Sequence, residues 1–187
     1  MKTALILLPV LLVAGFGAAT KFVRVRHDLA SQREAANQAW ARVELALESR
    51  ADLLPGLVDT MKSAGVVRAA NFQEIAGARA ALAGARSPQE KIRANDQLSA
   101  ALGRLLVLSE SYPRLPNNRD FQRIQDAISE KENDIAVERR KYNEMLEHYN
   151  TQIQMFPDNL VAGVSGFTRN DQYFPTEPGL HSVPKVP

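Results

Sequence analysis

Residues Asn117–Phe156 read NNRDFQRIQDAISEKENDIAVERRKYNEMLEHYNTQIQMF. Ile128, Ile135, Tyr142, Tyr149 and Phe156 recur every seven positions in this stretch, which puts them on one side of an α-helix. Ile124, Met145, Leu146 and Ile153 widen the stripe, and most other side chains here are charged or carry amides. No Pro or Gly falls after Asn117 until Pro157, so the stretch predicts one unbroken helix about 58 Å long at 1.5 Å rise per residue. Such a stripe has to be covered by other helices. Burying the five seam residues contributes about 8–15 kcal/mol before conformational entropy is subtracted, at roughly 1.5–3 kcal/mol for each large apolar side chain.

A chain of 187 residues can hold one domain with a substantial core and an appendage. The formal net charge of +2 does not provide a broad basic face, so no nucleic-acid partner is expected. The chain has no cysteine, which excludes disulfides, thiolate metal sites, a Cys nucleophile and a lipid-modified Cys. A thiol-free protein suits either side of a membrane.

Residues Thr3 to Thr20, TALILLPVLLVAGFGAAT, carry no charge and are flanked by Lys2 and by Lys21, Arg24 and Arg26. As a helix this run covers about 27 Å, slightly less than the ~30 Å hydrocarbon layer, and Phe22, Val23 and Val25 extend it if Lys21 and Arg24 snorkel. It reads as a retained transmembrane anchor in which Leu5, Leu8, Leu11, Val13 and Phe16 face lipid and Pro9 is tolerated. The competing reading is a cleaved signal peptide, with Gly17-Ala18-Ala19 as the small-residue site. Retention is preferred because helical patterning resumes directly after Thr20. Three positive charges follow the run and fewer precede it, which puts the N-terminus outside and the following domain in the cytoplasm, with a periplasmic domain as the alternative.

Beyond the anchor, Asp28 to Met61 again follows heptads: Trp40, Leu47, Leu54 and Met61 on one line, Ala36, Val43 and Leu57 beside it. Arg50 interrupts the second line and is expected at the stripe's edge, with its charge snorkelling to water. Pro55-Gly56 is the weak point of this helix, and since the apolar register continues through it, a kink is expected rather than an end. Gly65 marks a break. Val66 to Ala85 reads as an alanine-rich helix able to approach its neighbours closely, anchored by Phe72, Ile75 and Leu82. Ser87, Pro88 and Glu90 supply the N-cap, first position and first turn of the next helix. That helix carries Leu98, Leu105 and Tyr112 on one line and is stopped by the Pro113–Pro116 segment.

The fold class expected is therefore all-α: an N-terminal transmembrane helix followed by an antiparallel four-helix bundle with two long helices as its spine. Residues 1–26 are assigned to the anchor and its basic flank, 27–174 to the bundle and 175–187 to a Pro-rich disordered tail. Asp158 to Phe174 is expected to fold back on the bundle.

Four strings occur in order: RADLLPGLVDTMK (Arg50–Lys62), RLLVLSESYPRL (Arg104–Leu115), KYNEMLEHYNTQIQMFP (Lys141–Pro157) and GFTRNDQYF (Gly166–Phe174). Together they resemble the LemA family of bacterial membrane proteins over about Asp28 to Pro175. The resemblance implies an N-terminal transmembrane helix, a short outside-facing N-terminus and a helical bundle, and it implies no reaction. Gly56 departs from the Asn usual in the family after the Pro, and Val66-Val67-Arg68 replaces a more polar turn.

His27, His148 and His181 are too dispersed to suggest a metal centre, and no phosphate loop, dinucleotide-binding glycine pattern or His-Glu-x-x-His motif is present. Ser99, Ser109 and Ser111 have no His nearby in sequence. Asp126, Glu130, Asp134 and Glu138 step every four residues along one helix face; a solvated face neutralised by Lys131 and Arg123 is preferred over a cation-binding stripe. The Tyr142-Asn143 and Tyr149-Asn150 pairs are read as core-lining, with each tyrosine hydroxyl needing a partner.

The function expected is that of a membrane-anchored scaffold or protein-interaction protein in the bacterial inner membrane, without catalysis or cofactor. Its residues would be Trp40, Leu47, Leu54, Pro55, Ile128, Ile135, Tyr142, Tyr149 and Phe156. The partners expected are the membrane and either a second copy or another membrane-associated protein. Two alternatives stand beside it: a secreted or periplasmic helical adaptor released by signal-peptide cleavage, and an enzyme whose residues assemble only in three dimensions.

Overall fold

The seven-residue pattern is realised as helix nearly throughout. In the computed structural model, residues 2–66 and 69–175 are described, with 2–14 and Ala69 described by backbone alone. The helices are α1 (Lys2–Ala51), α2 (Leu54–Ser63), α3 (Ala69–Gly84), α4 (Pro88–Ser109), α5 (Arg119–Gln152) and α6 (Asp158–Ser165). No strand occurs among the described residues. The four rods expected after the anchor become six helices because α1 breaks from α2 and a short α6 follows α5.

The expected kink at Pro55 is instead a break. The Leu53 N–H donates to the Arg50 carbonyl at 3.1 Å, a tightened three-residue step, and the Leu57 N–H then donates to the Leu53 carbonyl at 3.2 Å. Pro55 consequently sits in the first turn of α2, where the N–H it lacks would have had no helical partner. At the other end of α2, Gly65 adopts φ +88°, a left-handed conformation that L side chains resist. The Val66 N–H donates to the Met61 carbonyl and the Gly65 N–H to the Lys62 carbonyl, closing the helix with a Schellman motif.

Ser87 and Glu90 form a full capping box at the start of α4. The Glu90 N–H donates to Ser87 Oγ at 3.2 Å, and the Ser87 and Arg86 N–H groups donate to Glu90 Oε2 at 3.2 and 2.8 Å. These backbone donors hold the Glu90 carboxyl below its ordinary range. Asn118 caps α5 by accepting the Asp120 and Phe121 N–H groups. This long helix ends at Gln152, before Phe156, because the residues preceding Pro157 are steered away from helical geometry.

The chain divides into two compact units. One comprises Met1–Ala39 and Asn143–Asp171, the other Trp40–Tyr142 and Gln172–Pro187. In the first, Val25 and Leu29 of α1, Tyr149 of α5, Ile153 and Ala162 of α6 make the core, with Val161 and Phe167 packed at its margin. The Gly166 cap, at φ +74°, turns the chain out of α6. In the second, Leu47, Leu54, Leu57 and Met61 are buried together with Leu98 and Leu105 of α4 and Phe121, Ile128 and Ile135 of α5. Here α3 packs along α4 through Ile75, Ala78 and Leu82, while Ala76, Gly77, Ala80, Ala81 and Ala83 face outward.

Among the described residues no helix is long and apolar enough to cross a membrane. Most of the anchor read from the sequence falls on residues 2–14, so the side chains of Leu5, Leu8, Leu11 and Val13 lie outside the described residues. Phe16 is exposed. Residues 176–187, read as a disordered tail, also lie outside.

Candidate functional site

Arg50 is fully buried, not at the edge of its stripe as expected. Val43 and Leu57, seven positions either side, are buried as well, so the register itself turns position 50 inward. What makes this tolerable is polar material from two other helices. Arg50 Nη2 donates to Asn95 Oδ1 at 2.7 Å and Nη1 to Ser99 Oγ at 3.0 Å, both on α4. Nη1 also donates to the Glu132 carboxylate of α5. Nε is buried without a hydrogen-bond partner. Nearby on the same pair of helices, the buried Lys91 Nζ lies 3.5 Å from a Glu48 carboxylate oxygen and 3.9 Å from one of Glu44. Stripping water from a guanidinium costs several kcal/mol, and its multiple hydrogen bonds and the Glu132 charge offset that cost. The arrangement ties α1 to α4 and α5 within the second unit.

In the same unit an aromatic cluster closes over α1 and α5. The Trp40 ring lies 5.3 Å from Tyr142, edge-on, and 5.6 Å from Phe174, stacked. Arg139 stands 4.8 Å over the Phe174 ring. Tyr142 donates from its hydroxyl to the Gln172 carbonyl at 3.0 Å. Burial first, and then the neighbouring Tyr173, pushes the Tyr142 hydroxyl up to about 12. An unfolded tyrosine ionises near pH 10, so the folded state retains this proton while the unfolded state loses it. Stability is therefore complete below about pH 10 and falls as pH rises from there toward about 12, by about 1.4 kcal/mol per pH unit. Urea titrations across that window should show a smaller alkaline loss for Tyr142→Phe than for the parent.

The first unit repeats the device. Tyr149 donates to the Thr168 carbonyl at 2.8 Å, Asn150 Nδ2 donates to the Asn170 carbonyl at 2.6 Å, and the Asn170 N–H donates to Asn150 Oδ1 at 2.9 Å. Arg33 lies 5.1 Å over Phe167. Burial raises the Tyr149 hydroxyl, with Arg33 opposing the shift. Each tyrosine seam residue thus finds its partner in the Gly166–Phe174 string.

A groove of about 520 Å³ opens on the second unit, lined by Arg42, Leu45, Ala46 and Ser49 of α1 and by Lys131, Asp134, Val137, Glu138 and Lys141 of α5. Leu45 and Val137 are well exposed. Glu138 accepts from Lys141 Nζ at 2.7 Å and from Arg42 Nε at 3.3 Å. These cations, Lys141 foremost, hold its carboxyl below the ordinary range against the effect of burial. Lys131 donates to Asp134 at 2.9 Å, which raises the Lys131 ammonium. Half of the four-carboxylate stripe is thereby neutralised by cations, and Asp126 and Glu130 face solvent. Among the described residues no group of three His, Asp or Glu could hold a metal ion. His27 and His148 are exposed, and His181 lies outside the described residues.

Of the residues singled out from the sequence, Leu47, Leu54, Ile128, Ile135, Tyr142 and Tyr149 are buried and Trp40 is half-buried. Pro55 is exposed, and Phe156 lies past the end of α5 with its ring in solvent. Phe121 was not singled out, although it precedes Ile128 by seven and was readable from that spacing. Phe174, Asn95 and Glu132 gave no periodic signal.

By fold this is an all-α protein built on two long helices whose inward faces carry tyrosine and arginine ties. The chain belongs to the LemA family, whose profile matches residues 39–187. It is similar to magnetosome proteins MamQ 1 and MamQ 2 of Paramagnetospirillum magneticum, each 35% identical over 78 residues, and to magnetosome protein MamQ of Magnetospirillum gryphiswaldense, 31% identical over 78 residues. Each alignment takes in 42% of this chain and only 28% of the relative's length.

Proposed function

We propose that the chain is a membrane-tethered, non-enzymatic helical scaffold that pairs with a second copy of itself through the α1–α5 groove. The groove carries the reading. It exposes Leu45 and Val137 between cations (Arg42, Lys131, Lys141) and carboxylates (Asp134, Glu138), so a two-fold related copy can meet it with apolar on apolar and each charge near its opposite. The uncharged run Thr3–Thr20 followed by Lys21, Arg24 and Arg26 supports a tether in the inner membrane with the helical units in the cytoplasm. Confinement to a plane raises the effective concentration of copies, so a modest interface suffices.

The absence of cysteine makes the test direct. Full-length Leu45→Cys in membranes should oxidise to a disulfide-linked dimer, and adding Val137→Glu should abolish it. A Leu45→Cys protein that stays monomeric, or that cross-links no better than Ser129→Cys on the exposed side of α5, overturns the pairing. An adduct with a different membrane protein replaces the second copy as partner. The intact mass of the mature protein should include Met1–Thr20, since α1 passes through Gly17–Thr20 without interruption. A mass lacking them would make it a released adaptor.

A further inference from the structure

The first unit carries an apolar surface that its own core does not use. Phe156 and Val164 are each 80% exposed, Leu160 60% and Met155 58%. Leu160 and Val164 are four apart and share one face of α6, while Met155 and Phe156 lie in the turn leading into it. A single exposed apolar residue is ordinary. Four large ones within ten residues form a contiguous stretch of the kind that marks an interaction surface.

The position of this patch says what it meets. Ala162 of α6 packs with Val25 and Leu29 of α1 and with Tyr149 and Ile153, which seats α6 beside α1 at Val25. Val25 follows the end of the uncharged run at Thr20 by about 8 Å of helix rise. Exposed Lys21 and Arg24 lie in that interval and exposed Arg26 directly follows it. The nearby carboxylates are fewer: Asp28 on α1 is exposed, and Asp158 accepts from Gln152 Nε2 at 3.0 Å.

We infer that Met155, Phe156, Leu160 and Val164 rest in the headgroup–acyl boundary of the bilayer, with Lys21, Arg24 and Arg26 on anionic phospholipid headgroups. The inference rests on the tether at Thr3–Thr20. Interfacial helices sink their apolar face about 5–10 Å, which matches the offset along α1. Basic side chains beside an apolar face are the signature of attraction to an anionic surface. A second copy of the chain is disfavoured as the occupant, because against the three cations the patch offers only Asp158, already bonded to Gln152, and the neighbouring Asp28.

The test uses the full chain with single cysteines at Leu8, Asn37, Phe156 or Val164, each carrying an environment-sensitive fluorophore. The protein is placed in vesicles of phosphatidylcholine with phosphatidylglycerol. Labels at Phe156 and Val164 should shift to the blue, be quenched by shallow spin-labelled lipid and lose most of their quenching by aqueous iodide. The shift should shrink in phosphatidylcholine alone. The label at Asn37, exposed in the same unit and about 25 Å beyond Thr20 along α1, should remain open to iodide. If the Leu8 label lies in lipid while the Phe156 and Val164 labels stay in water, the inference falls and the tether stands. If the Leu8 label is in water, the tether falls and takes the inference with it. Labels shielded from iodide but untouched by spin-labelled lipid would mean a protein covers the patch, which also overturns it. Asn37, Phe156 and Val164 are exposed, so substitutions there leave the fold intact, and matched circular dichroism spectra verify this for every labelled variant.

Discussion

Glu132→Ala should destabilise the second unit by about 3 kcal/mol in chemical denaturation. The figure is set at the low end of the ~3–5 kcal/mol expected when one member of a buried ion pair is removed. Arg50 is fully enclosed, so losing its carboxylate leaves a positive charge without its counterion. Glu132 keeps 43% of its side-chain exposure, so water can partly replace it, which keeps the cost from reaching the top of the range. Arg50→Met should cost less, about 1–2 kcal/mol, because it leaves no buried charge and a thioether chain fills the core, while the buried Asn95 Oδ1 loses its donor. If both variants lose the same stability, packing rather than charge holds this position. A double-mutant cycle between Arg50 and Glu132 separates the pair's coupling from the packing of each side chain.

The second large effect is expected at Phe174. Its ring is buried, stacks on Trp40 and lies under the Arg139 guanidinium. Phe174→Ala should cost about 3–5 kcal/mol, the range for deleting a buried aromatic ring. Trp40 is the sole tryptophan of the chain, so its fluorescence reports this cluster alone. Emission should move to the red in Phe174→Ala under native conditions, as water reaches the face of the indole that Phe174 covered. Tyr142→Phe keeps the edge-on ring and loses only the bond to the Gln172 carbonyl, so it should cost about 1 kcal/mol and leave the emission nearly unchanged. An unshifted spectrum in Phe174→Ala would show that the stacking contributes little to the closure.

Much of the helical architecture was legible because heptad spacing reports which face of a rod is inward. Ile128, Ile135, Tyr142 and Tyr149 needed only that rule. So did Ser87, Pro88 and Glu90, whose capping chemistry is local. Arg50 was misplaced for an instructive reason. Its neighbours at Val43 and Leu57 place position 50 inward, while the cost of stripping water from a guanidinium argues for the edge. The partners that reverse the balance, Asn95, Ser99 and Glu132, are 45 to 82 residues away in sequence, and nothing in the spacing links them to Arg50. Phe156 failed from the opposite error. The heptad spacing continues to Phe156, but α5 ends at Gln152, ahead of Pro157. The groove was not legible either, since Leu45 and Val137 lie off both seams and acquire meaning only when α1 and α5 lie side by side.

The tyrosine ties to the Gly166–Phe174 string bear on how the chain is made. Both units borrow from opposite ends of the polypeptide: Tyr149 and Asn150 wait for residues 168 and 170, and Trp40 waits for Phe174. Synthesis must therefore reach Phe174 before both units can close, and a polypeptide ending before Thr168 would keep its indole and phenol rings bare. Such a fragment would display to proteases and chaperones the hydrophobic surface that the folded units hide, so the Gly166–Phe174 string doubles as a check that translation has passed it.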